Sequence, residues 1–224
     1  MDFPDRSRGP LEKRNMPVPW PAMLDLITST LMVFMLVTTL QLAFGIDELE
    51  AALTRNKQER FLQEFRQEFE REIKREEIRV ERHLNFIQIL FSDKVLFRSG
   101  DYRLQATGKR LLGRCARVFV QAGGSGYEQI QVEGHTDDIP LDRSTYPSDN
   151  WELSTARALS VVELLSGKNP LFASVLSANG YSHHRPVEDN STQAGRDRNR
   201  RIEIRLFFSG TQAGELARKK EERP

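Results

Sequence analysis

Cysteine is almost absent from these 224 residues, and Cys115 stands alone. A single thiol excludes an internal disulfide framework and any metal site built from several cysteines. It sits in "LLGRCARVFV", which reads as an amphipathic helix, so a buried structural thiol is expected. Its distance from the N-terminus also leaves it unsuited to a lipoprotein anchor. Charge of one sign is missing as well, with 33 Lys and Arg against 32 Asp and Glu. A general nucleic-acid binder would carry a basic excess, so no nucleic-acid partner is expected. Nor is there a nucleophile–base set or a phosphate loop. The stretch "AGGSG" at 122–126 lacks the Lys-Ser/Thr of a P-loop and reads as a turn. His135 and the pair His183–His184 have no convergent Cys, His or acid spacing, which argues against zinc. The expectation is a protein that is not an enzyme and needs no cofactor.

The next absence is local. Between Ala22 and Ile46 there is no Lys, Arg or Glu, and Asp25 is the only charge in those 25 residues. At about 1.5 Å per residue a helix here reaches roughly 37 Å, enough to cross a hydrocarbon core of about 30 Å with tilt. The run is too long for a secretory signal, and "LAFGIDELE" is a poor cleavage site. A retained single-span anchor over 22–46 is expected. Arg6, Arg8, Lys13 and Arg14 precede it, and Asp47, Glu48 and Glu50 follow it. The positive-inside rule then puts segment 1–21 in the cytoplasm and the remainder outside a bacterial inner membrane, in the periplasm. Trp20 suits an interfacial anchor, and Pro17, Pro19 and Pro21 start the helix near Ala22.

Residues 47–84 contain neither Gly nor Pro and are dense in charge, which reads as a helical linker. Phe61, Phe65, Phe69 and Ile73 recur every four residues with Leu62 beside them, forming one apolar stripe. Such a stripe is either the face of a solvated spacer or a homodimer contact. Residues 85–210 read as the folded domain. "NFIQILFSDKVLF" and "YEQIQVEGHTD" are strand-like, as are "FASVLSANGYS" and "RRIEIRLFF". "ATGKRLLGRCARVFVQA" is helix-like with Thr107 as its cap, and "NWELSTARALSVVELLSG" is a helix stopped by Gly167. The order β-α-β-α-β-β predicts an α+β fold with helices packed on one side of a mixed sheet. Residues 211–224 read as a charged tail.

"VEGHTDDIP" followed by "NWELSTARALSVVELL" resembles the peptidoglycan-binding domain of the OmpA and MotB family. The family's helix signature is matched at Asn150, Leu153, Ser154, Arg157, Ala158, Val161 and Leu165, and its loop at His135, Thr136 and Asp137. "RDRNRRIEIRL" is similar to the family's closing strand. The likeness covers roughly residues 86–208 and implies a peptidoglycan ligand, the diaminopimelate of the stem peptide. That group carries an ammonium and a carboxylate, so its pocket needs an acid and a base at fixed separation. The resemblance assigns Asp137 and Arg157 as that pair, with Asn150 supporting the loop and Thr136 and the Ile139 backbone lining the site. Arg200 and Arg201 are left outside the pocket. A plainer reading stays open, with Asn150 as a helix N-cap and Arg157 as a structural salt bridge.

An acid in a membrane anchor is of no use to a passive clamp. An intramembrane carboxylate marks an ion pathway by default, although one turn from the helix end it could also snorkel to the interface. Thr28, Met32 and Thr39 follow Asp25 at +3, +7 and +14 on one helical face, which suggests a protein-lined path. "PAMLDLITSTLMVFML" resembles the span of the B subunit of ion-driven stator motors. That resemblance implies Asp25 as the ion-binding residue, Thr28 and Thr39 along the path, and H⁺ or Na⁺ as the ion. It also implies two copies within a ring of five multi-span MotA-like A subunits. The charged, phenylalanine-striped helix and short chain are similar to the B subunit of the Zorya anti-phage defence system, an assignment preferred here to a flagellar stator. The competing expectation is a passive OmpA-like tether between membrane and wall.

Overall fold

Leucine, methionine, phenylalanine and threonine follow one another from Met23 to Phe44 without a helix breaker, so the chain coils from its first described residue. The computed structural model describes residues 20–123, 126–141, 144 and 146–208. The basic segment before Trp20, the charged tail after Phe208 and the two central residues of the "GGSG" turn lie outside them. Helix α1 runs Trp20–Glu68, and its Met23–Phe44 stretch is long and apolar enough to cross a membrane. The chain divides into two compact units, residues 1–48 and 49–224. In the first, Leu24, Met32, Phe34 and Leu42 are exposed. The threonine hydroxyls turn back onto the helix. Thr28 donates to the Leu24 carbonyl at 2.9 Å and Thr39 to the Met35 carbonyl at 2.7 Å. A hydroxyl that satisfies its donor this way is tolerated in a medium without water.

In the second unit the phenylalanine stripe has a different fate from the one expected. Phe61 and Phe65 of α1 and Phe69 just past its end are fully buried, with Phe65 stacked on Phe61 at 5.6 Å and tilted against Phe69 at 4.5 Å. Phe61 also meets Phe119 at 5.9 Å and Phe208 at 5.8 Å, so the stripe closes the domain's own core. The rings expected to face solvent or a second copy are taken up inside the domain, and residues 49–84 belong to the same compact unit as the sheet. After α2 (Glu70–Lys74) the chain turns at Glu76 in the left-handed region, φ 57°, and enters an unforeseen strand, β1 (Ile78–Arg82). The run of charge across 70–82 hid the alternation of Ile78 and Val80, both part of the core.

Strand β2 (Phe86–Ser92) pairs antiparallel with β1, and the short α3 (Asp93–Leu96) follows it. Then come α4 (Ala106–Val118), β3 (Tyr127–His135), α5 (Asn150–Lys168), β4 (Leu176–Gly180), α6 (Gln193–Asn199) and β5 (Arg201–Phe208). The sheet order is β1-β2-β5-β3-β4, with β3 parallel to β4 and every other pairing antiparallel. The expected α+β fold on a mixed sheet is therefore present. Ile87, Ile89, Ile130, Val132, Ile202 and Ile204 form one core with Leu112 and Cys115 of α4 and Val161 and Leu165 of α5. Cys115 is a buried free thiol, its pKa driven far up by burial.

Three local expectations need correction. Thr107 is not a cap: α4 begins at Ala106 after Gln105, and the Thr107 hydroxyl reaches the Val95 carbonyl at 3.5 Å. Gly167 lies inside α5, which runs one residue further to Lys168. Helix α6 was not expected, and Thr192 caps it by accepting from the Gly195 amide at 3.0 Å.

Candidate functional site

Because β3 runs with β4 and against β5, the end of β3, the end of β4 and the start of β5 meet at one end of the sheet. The chain leaving β3 carries Thr136, Asp137 and Ile139 to the N-terminus of α5. Asp149 caps that helix by accepting from the Glu152 amide at 2.8 Å, and the Glu152 carboxylate reaches back to accept from the Ser148 amide at 2.8 Å. Asn150, freed from capping, donates its side-chain amide to the carbonyls of Asp137 at 3.2 Å and Ile139 at 3.0 Å. Of the two roles read for Asn150, loop support is the one its contacts display. The Ile139 amide donates to Asp137 Oδ1 at 3.2 Å, and Thr136 donates its hydroxyl to the Asp137 carbonyl at 2.9 Å.

Thr136, Asp137, Ile139, Asn150, Arg157 and Arg200 line one cleft of about 280 Å³. The residues expected from sequence do converge, but their pairing differs. Arg157 is 2% exposed and turned inward. Its Nη2 lies 3.2 Å from Asp93, its Nε donates to the Asp101 carbonyl at 3.0 Å, and its guanidinium lies over Phe97 at 5.1 Å. The base that meets Asp137 is Arg200, whose Nη1 donates to Asp137 Oδ2 and whose Nη2 donates to Asp197. Sequence reasoning left Arg200 out, and only the density of arginine in "RDRNRR" hinted at it. Arg201 stays outside the cleft.

The charges are strongly coupled. Burial raises the pKa of Asp93, with Arg157 and Arg200 pulling it the other way. Burial alone would lower Arg200, but hydrogen bonding and charge from Asp137, with the charge of Asp197, outweigh it and hold the guanidinium above its ordinary value. The cleft thus presents a carboxylate already answered by a half-buried cation.

A second polar cluster lies on the opposite face of the sheet from the apolar core. Glu133 of β3 stands directly across from Glu203 of β5, and His135 Nε2 is 3.6 Å from one and 3.7 Å from the other. These three could supply ligand atoms within 4.8 Å of one another. The surroundings do not fit a cation. Arg201 donates to Glu203 at 2.7 Å, and Arg205 lies 3.0 Å from Glu133 and 3.1 Å from Glu203. Two guanidiniums already balance two carboxylates, and a buried dication would add uncompensated charge. Burial pushes the His135 pKa down, which keeps the ring neutral. Asp25, Thr28 and Thr39 belong to the other unit, on α1, where all three are exposed.

The described residues thus combine a mixed five-stranded sheet, an acid–base cleft at one end of it and a helix apolar enough to span a membrane. Residues 96–200 match the OmpA family model, and that domain is OmpA/MotB-like. The chain is 32% identical over 156 residues to the uncharacterized protein YtxE of Bacillus subtilis, across 70% of this chain and 62% of that protein. It is 34% identical over 122 residues to Motility protein B of Bacillus subtilis, across 54% of this chain and 45% of that one. The chain therefore spans about half to three-fifths of the length of these curated relatives. Among solved structures, the cell wall anchor of the T6SS from Pseudomonas aeruginosa is 30% identical with a TM-score of 0.57, covering 64% of this chain and 96% of that one.

Proposed function

We propose that this protein is a MotB-like, peptidoglycan-anchored B subunit of an ion-driven inner-membrane stator. The observation that carries the reading is the pairing, in one chain, of Asp25 on an otherwise uncharged span with an acid–base cleft on an OmpA-like domain. Motility protein B as a relative supports the stator assignment, and the cell wall anchor supports attachment to the wall. In this reading the N-terminus is cytoplasmic and the domain periplasmic. The cleft takes the diaminopimelate of a stem peptide, its ammonium on Asp137 and its carboxylate on Arg200, with Arg157 and Asn150 holding the cleft in shape. Two copies sit in a ring of five MotA-like subunits. Asp25 takes up and releases H⁺ or Na⁺ beside Thr28 and Thr39, and the chain catalyses no reaction. The Zorya-type output proposed from sequence rested partly on the phenylalanine stripe. That stripe is domain core, so the motor's output is assigned by its companions.

The test is an affinity pull-down from gently solubilised native membranes, with partners identified and the complex weighed. A multi-span protein in excess, near five to two, is expected. Flagellar companions would assign a swimming motor, and Zorya-type companions a defence motor. A bare protein bringing down only wall fragments would leave a passive tether and overturn the stator reading.

A further inference from the structure

Trp151 is 48% exposed on the first turn of α5, an unusual position for so large an apolar ring. It does not stand alone. Its ring lies 5.1 Å from that of His184, and His184 lies 4.2 Å from His183, so three rings form a short surface ladder. The backbone beneath is specially built. Ser182 adopts φ 52°, a left-handed conformation that costs a non-glycine residue energy and persists only where its surroundings enforce it. They do so through buried hydrogen bonds. The Ser182 amide donates to the Ser154 hydroxyl at 3.0 Å, and that hydroxyl donates in turn to the Trp151 carbonyl at 3.0 Å. On its other side the Ser182 carbonyl accepts from the Thr136 amide at 3.0 Å. A single serine pair thus fixes the ladder to the loop that carries Asp137.

The sheet order sets where the ladder lies. With β3 between β5 and β4, Arg200 and Ser182 flank the end of β3 from opposite sides. The cleft and the ladder therefore share the same end of the sheet. We infer that the Trp151–His184–His183 ladder is a saccharide platform for the amino-sugar glycan strand of the wall. A pyranose has an apolar C–H face and a polar hydroxyl and acetamido rim. The exposed rings of Trp151 and His184 offer the first a stacking surface, and the imidazole nitrogens other than His183 Nδ1, which lies 3.2 Å from the Ser182 hydroxyl, offer the second hydrogen-bonding partners. A protein partner would want a wider apolar patch with a charge-depleted core. This inference rests on the wall-binding reading above, and it adds the sugar as a second recognised group beside the stem peptide.

The experiment uses the full chain in detergent with three probes: the free stem tripeptide, the disaccharide tripeptide and a peptide-free glycan strand. For Trp151→Ala, affinity for the disaccharide tripeptide and the glycan strand should fall by roughly three- to tenfold. Tripeptide binding and melting temperature should be unchanged. Trp151→Phe, which keeps a flat ring, should restore most of the loss. Since Trp20 and Trp151 are the chain's two tryptophans, a Trp20→Phe background should show glycan-dependent emission from Trp151 alone. Equal glycan binding by wild type and Trp151→Ala, or no glycan binding by wild type, overturns the platform. Failure of the wild type to bind the free tripeptide would instead sink the cleft assignment, while the glycan strand still tests the ladder.

Discussion

At the residue scale, Asp137 meets its cation before any ligand arrives, because Arg200 already donates to it. A ligand ammonium that takes Asp137 must release Arg200, and a ligand carboxylate nearby gives Arg200 a new partner. Diamino acids with a free carboxylate make this exchange nearly neutral in charge, whereas a simple amine leaves Arg200 with Asp197 and the more distant Asp93 as its only acids. Asp137→Ala and Arg200→Ala are each expected to weaken sacculus binding at least about tenfold, the lower range for losing one member of a charged contact. Co-sedimentation with purified sacculi measures this. Arg157→Ala should act differently, lowering melting temperature as well as binding, since it leaves buried Asp93 without its partner at 3.2 Å. His135 supplies a pH prediction. Its folded pKa lies below the ordinary histidine value, so the unfolded chain takes the proton first as pH falls. Stability from this group is complete above about pH 6.5 and is lost below it, at up to roughly 1.4 kcal/mol per pH unit. Thermal unfolding at pH 7.5 and 5.5 should show the loss in wild type and a smaller one in His135→Gln. The acid–base character of the site was legible from "HTDDIP" and Arg157. The identity of the facing base was not, because Arg200 comes from 63 residues further along the chain and only folding brings it in.

At the element scale, α5 lies so close to the sheet that a Cβ on Gly134 would fall 2.0 Å from the Ser154 carbonyl oxygen. Gly134→Ala is therefore expected to push the helix off β3, with loss of soluble expression or a lower melting temperature as the readout. The C-terminal half of α1 matters as much. Phe65→Ala should cost about 3–5 kcal/mol, as for other buried phenylalanines, and lower the melting temperature by on the order of 10 °C. A chain beginning at residue 85 loses this stripe and β1, and it should be unstable where one beginning at residue 49 folds. Circular dichroism melts compare the two directly. The period of Phe61, Phe65 and Phe69 was plain in the sequence and announced a buried face. What covered that face was not, since its partners Phe119 and Phe208 are distant in sequence and a helix pattern does not say whether its cover is internal or another chain. Strand β1 was hidden for a related reason: it is a sheet-edge strand whose Arg79, Glu81 and Arg82 are exposed, and its charge imitates a solvated helix.

At the scale of the whole molecule, the stator reading joins two demands in one chain, an ion carrier in the span and a grip on the wall. They should separate by mutation. Asp25→Asn is expected to abolish ion flux and motor output while sacculus binding stays at the wild-type level. Flux assays in vesicles carrying the partner subunits would show it, and unaltered output in Asp25→Asn would leave only a tether. The apolar helix and the OmpA-like domain were both legible, because a 22-residue apolar run and a loop–helix motif are local signals. In the stator reading the chain is also a mechanical part. Tension would enter the domain at its N-terminal side, where Phe61 and Phe65 of α1 and Phe69 just past its end lie in contact inside the core. A pull along the helix axis must slide all three rings at once, which is shear. It cannot peel them one by one, as it would strip the hydrogen bonds of an edge strand. The stripe that looked like a place to meet a second copy is instead the cleat to which the rope is made fast.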